Sequence, residues 1–172
     1  MYVRVVNFAN LILQYIPKHA NVLEIGCGEG QLTQLLRDAG CEVTPLDPKP
    51  RAPFDVFEVH FEDFEGPPKS FDCIATQLVL HHAHELDAFL DKAQRLLKAG
   101  GVLAIDDYGW ERPDKDVSEE WRDERRDLHT SVAMLQALRK RFTPIYYADH
   151  AYFDDGAGSD SLAFTFVGRP MR

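Results

Sequence analysis

The run Val22-Leu23-Glu24-Ile25-Gly26-Cys27-Gly28-Glu29-Gly30 decides how the rest of the chain is read. Val22 to Ile25 is a short strand, apolar but for one acid, and it opens with no linker into three glycines at alternate positions. A helix follows at once. Leu32, Leu35, Leu36 and Ala39 share one face between Gln31 and Ala39, and Gly40 breaks the pattern. A strand that runs straight into a helix leaves the first helical amides without partners, and glycines let a ligand approach the backbone. In an open sheet covered by helices, ligands settle outside the carboxyl ends of the strands, beside such a loop. Asp47 lies 21 residues beyond Gly26 and ends the next strand, where a carboxylate can accept hydrogen bonds from ribose hydroxyls.

Working outward, Val5, Phe8, Ile12 and Ile16 put an apolar stripe on a first helix, about Val3 to Ile16, which Pro17 stops. Strands are expected at about Glu42 to Leu46, Phe54 to His60, Phe71 to Thr76, Val102 to Asp106, Thr143 to Tyr147 and Leu162 to Val167. Pro48, Pro50 and Pro53 rule out a full-length helix after the second of the seven strands, so that connection is short or degenerate. A helix from about His84 to Lys98 ends at Gly100-Gly101. Two more fill Glu111 to Arg141, the second amphipathic through Met134, Leu135 and Leu138. The segment Glu111 to Thr130, with Trp121 and His129, reads equally as a lid or as a solvated helix. The Gly- and Asp-rich stretch Asp154 to Asp160 joins the last two strands. Strands alternating with helices argue for an α/β fold, a doubly wound and mainly parallel sheet with helices on both faces.

With 172 residues the chain is read as a single domain, 1–172. Its net charge of −9 argues against a nucleic-acid partner, because neutralising phosphates needs a basic face. No apolar run reaches the ~20 residues of a membrane helix, and the start lacks a signal-peptide pattern. Cys27, Cys41 and Cys73 cannot all pair and show no CxxC spacing, which suits a reduced, cytoplasmic setting. His81, His82 and His84 cluster without cysteines or carboxylates at ligand spacing, so no metal is expected. Oligomeric state is not legible.

The dinucleotide fingerprint G-x-G-x-x-G fails at position 31, which is Gln31, and no Tyr-x-x-x-Lys pair supports a nicotinamide-dependent reductase. Glu24-x-Gly26-x-Gly28-x-Gly30 instead resembles the first motif of the seven-strand S-adenosylmethionine-dependent methyltransferases. Further matches follow in order: Asp47; Ser70-Phe71-Asp72-Cys73-Ile74; Gln77-Leu78-Val79-Leu80-His81-His82; and Leu96-Leu97-Lys98-Ala99-Gly100-Gly101-Val102-Leu103. The resemblance implies a Rossmann-like, seven-stranded sheet whose last strand is antiparallel, and transfer of a methyl group to a small-molecule acceptor, with S-adenosylhomocysteine as product. It implies that Glu24 and the backbone of Gly26, Cys27, Gly28 and Gly30 line the methionine part. Asp47 would hold the ribose, Pro48 would lie against the adenine, and Gln77 would touch the cofactor. The family's adenine-reading acid falls on His60 and Phe61 by strict counting, so Phe61 and Glu62 take that place. His81, four residues past Gln77, is the candidate to remove a proton from the acceptor, because imidazole suits that work near neutral pH. Asp106, with Asp107, Tyr108 and Trp110, forms the expected substrate wall, its acid orienting a polar acceptor. A non-catalytic cofactor-binding or partner subunit of the same fold is the alternative.

Overall fold

A computed structural model describes residues 2–109, 128–151 and 162–171. Helix α1 (Tyr2–Leu13) buries Val5, Phe8, Ala9 and Ile12 along one side, as their spacing requires. Strand β1 (Asn21–Ile25) leads into α2 (Gln31–Asp38), and β2 (Glu42–Leu46) follows. After a long connection come β3 (Phe71–Gln77), α3 (Leu86–Leu96) and β4 (Leu97–Tyr108). Helix α4 (Ser131–Arg139) precedes β5 (Phe142–Ala151) and β6 (Leu162–Pro170). The six strands are ordered β2-β1-β3-β4-β6-β5. The pairs β1–β2, β1–β3 and β3–β4 are parallel, while β6 runs antiparallel to both β4 and β5.

Alternation along the strands divides the core in two. Val22, Cys73, Ala75, Val102 and Ala104 pack under α1 and α2. Leu23, Ile25, Ile74, Leu103 and Ile105 pack under α3 and α4, whose Met134 and Leu138 are fully buried. The doubly wound architecture, its two helical layers and its antiparallel last strand match the sequence expectation.

Two boundaries differ. The strand expected at Phe54 to His60 is reduced to one bridge, between Leu46 and Phe57, so the sheet has six strands among the described residues rather than seven. The outer edge of β2 carries Pro45. Its carbonyl accepts from Phe57 N at 3.0 Å, but it has no amide to donate back, so a ladder cannot be continued there. Next, α3 stops at Leu96 rather than at Gly100-Gly101; Gly100, at φ +80°, lies inside β4, where the register against β3 shifts. The first of the two helices expected between Glu111 and Arg141, most of the lid segment, Trp110, Trp121 and the stretch 154–160 lie outside the described residues.

Gly26 is where the fold leaves no room for a side chain. Its φ is +74°, and a Cβ there would lie 2.2 Å from Val79 Cγ2. Gly26→Ala is expected to lower stability by about 1–3 kcal/mol in urea unfolding, from overpacking and left-handed strain together. Adding Val79→Ala should recover the overpacking part beyond simple additivity; strictly additive losses would show that the Val79 contact is not the cause.

Candidate functional site

Beneath α1 the sheet face turns polar toward the carboxyl ends of its parallel strands. Glu24 of β1 follows Val22 on that face, Gln77 of β3 follows Ala75, and Asp106 of β4 follows Ala104. Gln77 is in register with Asp106, and Asp106 with Thr165 of β6. A cleft of about 1170 Å³ opens here, lined by α1, the glycine loop, Gln77, Asp106, Tyr146, His150 and Thr165. That is ample for a nucleoside-sized ligand with a second small molecule beside it.

The glycine loop is braced from within. Gly26 N and Cys27 N donate to Leu46 O at 2.8 and 3.0 Å, and Gly30 N donates to Cys27 O at 2.7 Å. Gly28 N donates to Asp47 Oδ2 at 2.8 Å, and Lys49 N to Asp47 Oδ1 at 2.7 Å. These loop amides are therefore spent inside the protein, ahead of the helix that begins at Gln31. Each Asp47 oxygen keeps acceptor capacity, and the residue is half-buried at the end of β2 while Pro48 beside it is exposed. Gly28 is the open glycine: no described residue lies within 4 Å of where its Cβ would be. Gly30 is closed instead by Phe54, 2.3 Å from that position.

Glu24 lines the cleft yet is only 3% exposed. Burial pushes its pKa up to about 7; a hydrogen bond from Thr33 and the charge of Arg37 oppose this, and Asp47 adds to it. Cys27 also lines the cleft, and burial, with Glu24 and Asp47 nearby, pushes its thiol up to about 12, so it is a poor nucleophile.

Asp106 lines the cleft too, but four side chains converge on it. Arg4 of α1 grips it with Nε at 2.6 Å and Nη2 at 2.8 Å. Gln77 Nε2 donates at 2.7 Å, Thr165 Oγ1 at 3.0 Å, and His150 Nε2 lies 3.3 Å away. Burial raises its pKa, but the bonds from His150, Arg4 and Gln77 outweigh that and hold it at about 2. Asp106 is thus an anchor for its neighbours and a very weak base, which corrects its expected place in the catalytic pair.

His81 belongs to the other face of the sheet. Only 2% exposed, it is not among the cleft-lining residues; its Nδ1 lies 2.6 Å from Asp107 Oδ1, and its ring stacks on His82 and Tyr108. The expectation that it meets the acceptor gives way to a packing role beside the cleft. The parity of β4 decides this: Asp106 and Asp107 are neighbours in sequence and so point to opposite faces. Phe61 and Glu62 form a single 3-10 turn, where Phe61 is buried against Phe89 at 4.6 Å and Glu62 is exposed, its carbonyl accepting from Lys92 Nζ. Neither lines the cleft. Among the described residues no cluster of His, Cys, Asp and Glu could hold a metal ion.

Sequence reading missed Arg4, His150 and Thr165. Arg4 had one signal, a lone base beside Val5 on the buried stripe of α1; His150 and Thr165 had none, because their meeting depends on the pairing of β5 with β6.

Residues 3–149 match the family model described as a methyltransferase domain. A malonyl-[acyl-carrier protein] O-methyltransferase of Enterobacter lignolyticus is 29% identical over 108 residues, covering 56% of this chain and 43% of that protein. A ubiquinone biosynthesis O-methyltransferase of Xylella fastidiosa is 33% identical over 113 residues, covering 54% and 46%. The chain spans less than half the length of these relatives. Among solved structures, the 1,6-didemethyltoxoflavin-N1-methyltransferase of Burkholderia thailandensis, with bound 1,6-didemethyltoxoflavin and S-adenosylhomocysteine, superposes with a TM-score of 0.73 at 20% identity, over 98% of this chain and 78% of that one. The N-methyltransferase NodS of Bradyrhizobium japonicum, in complex with S-adenosylhomocysteine, gives 0.73 at 18% identity, over 98% and 86%. At such identities the likeness is one of fold.

The two cleft carboxylates bend the stability curve in opposite senses. Glu24 keeps its proton in the folded chain up to about pH 7, whereas the unfolded chain releases it near 4.5. Its contribution is full below the lower value and falls, by on the order of 3 kcal/mol, as pH rises to the upper one. Asp106, lowered from 3.8 to about 2, contributes stability that is present above 3.8 and lost as pH falls. Urea-unfolding midpoints across pH should show Glu24→Gln flattening the fall between pH 4.5 and about 7; a fall of unchanged size in that variant would assign it to other groups.

Proposed function

The chain belongs to the methyltransferase-domain family, and from that premise we propose that it moves the methyl group of S-adenosylmethionine to a small-molecule acceptor in the cleft under α1. The observation that carries this is the buried carboxyl of Glu24 in the cleft wall beside the glycine loop, with Asp47 held by the Gly28 amide at the end of β2.

The residues fit that cofactor. Asp47, fixed by the amides of Gly28 and Lys49, keeps lone pairs for ribose hydroxyls. Glu24, buried at the cleft wall, suits the ammonium of the methionine part, because a cation there would draw it into its ionised form. Gln77, whose amide is held by Asp106, presents a fixed side chain to the same cleft. Phosphates would fare badly: the amides of Gly26, Cys27, Gly28 and Gly30 are already bonded, and two acids stand beside them. That counts against a nicotinamide dinucleotide.

When bound, the cofactor supplies a methyl group on a positively charged sulfur, and transfer is an in-line displacement whose acceleration comes mainly from alignment. The protein's part is to hold both molecules and exclude water. Arg4, fixed on Asp106, pins α1 as the roof, and the polar row Gln77, Asp106 and Thr165 forms the floor. The relatives include O- and N-methyltransferases, so oxygen and nitrogen acceptors both fit this reading. The three thiols, all free and buried, suit a reducing, cytoplasmic setting. No helix among the described residues is long and apolar enough to cross a membrane.

Calorimetric titration tests the reading. S-adenosylhomocysteine should bind and NAD should not; heat from NAD alone would overturn it. Asp47→Ala should weaken S-adenosylhomocysteine by about 1–3 kcal/mol, roughly five- to 150-fold, with the fold retained by circular dichroism. Unchanged affinity would take Asp47 out of the site. Because Glu24 titrates at about 7 in the free protein, binding should release part of a proton below that pH and tighten as pH rises through it. Identical heats in buffers of different ionisation enthalpy would show that no such proton moves.

A further inference from the structure

One imidazole among the described residues lines the cleft: His150, on β5, half-buried beside Tyr146. Its Nε2 lies 3.0 Å from Thr165 Oγ1 and 3.3 Å from Asp106 Oδ1. The Thr165 hydroxyl donates its own hydrogen to Asp106 Oδ1 at 3.0 Å. Asp106 is ionised above about pH 2 and can only accept. Thr165, already donating, has only lone pairs left for the ring. Both neighbours of Nε2 are therefore acceptors, and Nε2 must carry a hydrogen. In the neutral ring that leaves Nδ1 as a bare lone pair, and no described residue bonds it.

We propose that His150 takes the proton from the methyl acceptor, with Thr165 and Asp106 as the positioning residues that fix its tautomer. This rests on the methyl-transfer reading above. The O–H or N–H bond of the acceptor breaks and its proton passes to Nδ1. The electron pair left on the acceptor atom forms the bond to the methyl carbon, and the pair of the broken carbon–sulfur bond stays on sulfur. The imidazolium faces Asp106 through Nε2–H and returns its proton to water afterwards. The charged group against the ring is Asp106 from β4, itself gripped by Arg4 of α1, and Tyr146 of the same strand lines the same cleft. The acceptor class is then one with a dissociable O–H or N–H, such as a phenol or an N–H heterocycle. A carboxylate, which already carries a free pair, has no need of the base.

Ring ¹⁵N NMR of the full chain without cofactor reads the tautomer, with the His150 signals assigned by their loss in His150→Gln. The expected neutral form has hydrogen on Nε2 and none on Nδ1; the reverse would overturn the proposal. His150→Gln should bind S-adenosylhomocysteine as the unaltered chain does. Against a panel of small phenols, N–H heterocycles and carboxylic acids, it should lose ~10²–10⁴-fold in kcat on the O–H and N–H members and lose the acid limb of the kcat/KM profile. Thr165→Val, which keeps the base but frees the ring, should give mixed tautomers and a smaller loss. Retained turnover with an unchanged pH profile in His150→Gln sinks the assignment, as does tight S-adenosylhomocysteine binding with no O–H or N–H member methylated. Failure of the unaltered chain to bind S-adenosylhomocysteine would instead remove the methyl-transfer reading. The ring spectrum, which needs no cofactor, keeps the two failures apart.

Discussion

A carboxylate with 1% of its surface exposed must be met by donors, and the way Asp106 is met organises this molecule. Its partners come from α1, β3, β5 and β6, so one side chain on β4 draws together elements from Arg4 to Thr165. Removing one member of such a buried pair typically costs about 3–5 kcal/mol, because the charge left behind has no water to turn to. The same contact sets the height of α1 above the sheet and hence the width of the cleft. Stability and site geometry are here a single arrangement.

The loop after β1 shows how a fold shared with phosphate-binding proteins can be turned against phosphates. A helix start normally offers free amides to an anion. In this chain the loop before the helix has its own amides taken, those of Gly26 and Cys27 by Leu46 and that of Gly28 by Asp47, and Glu24 stands in the cleft wall as a buried acid. The carboxylates of Glu24 and Asp47 add acceptor capacity, which suits hydroxyls and an ammonium group. The three glycines divide the work: Gly26 makes way for Val79, Gly30 for Phe54, and Gly28 alone faces open space.

Much of this was legible in the residues. The 3.6-residue spacing of Val5, Phe8 and Ile12 and the apolar runs at Val22 and Val43 gave helices and strands near their observed limits, because burial enforces those periods. Glu24 and Gln77 stood where strand ends meet the cleft, and Asp47 at the end of β2 against the glycine loop. Side-chain parity was harder to read. Asp106 and Asp107 look alike in a sequence, yet one meets Arg4 under α1 and the other meets His81 across the sheet. Likewise Phe61 reads as a ligand contact by counting, but the core holds it against Phe89. The convergence of His150 with Thr165 depends on the pairing of β5 with β6, and no local pattern announces it.

Pro45 closes the argument at the rim of the sheet. A border strand with a full row of amides and carbonyls is a template on which a foreign chain can add itself, the first step toward fibrous aggregates. With one amide missing and its carbonyl already taken by Phe57, that rim cannot be copied in register. The residue that prevents a seventh strand from forming within the molecule also keeps neighbouring molecules from supplying one, which guards a crowded solution of this protein against polymerising through β2.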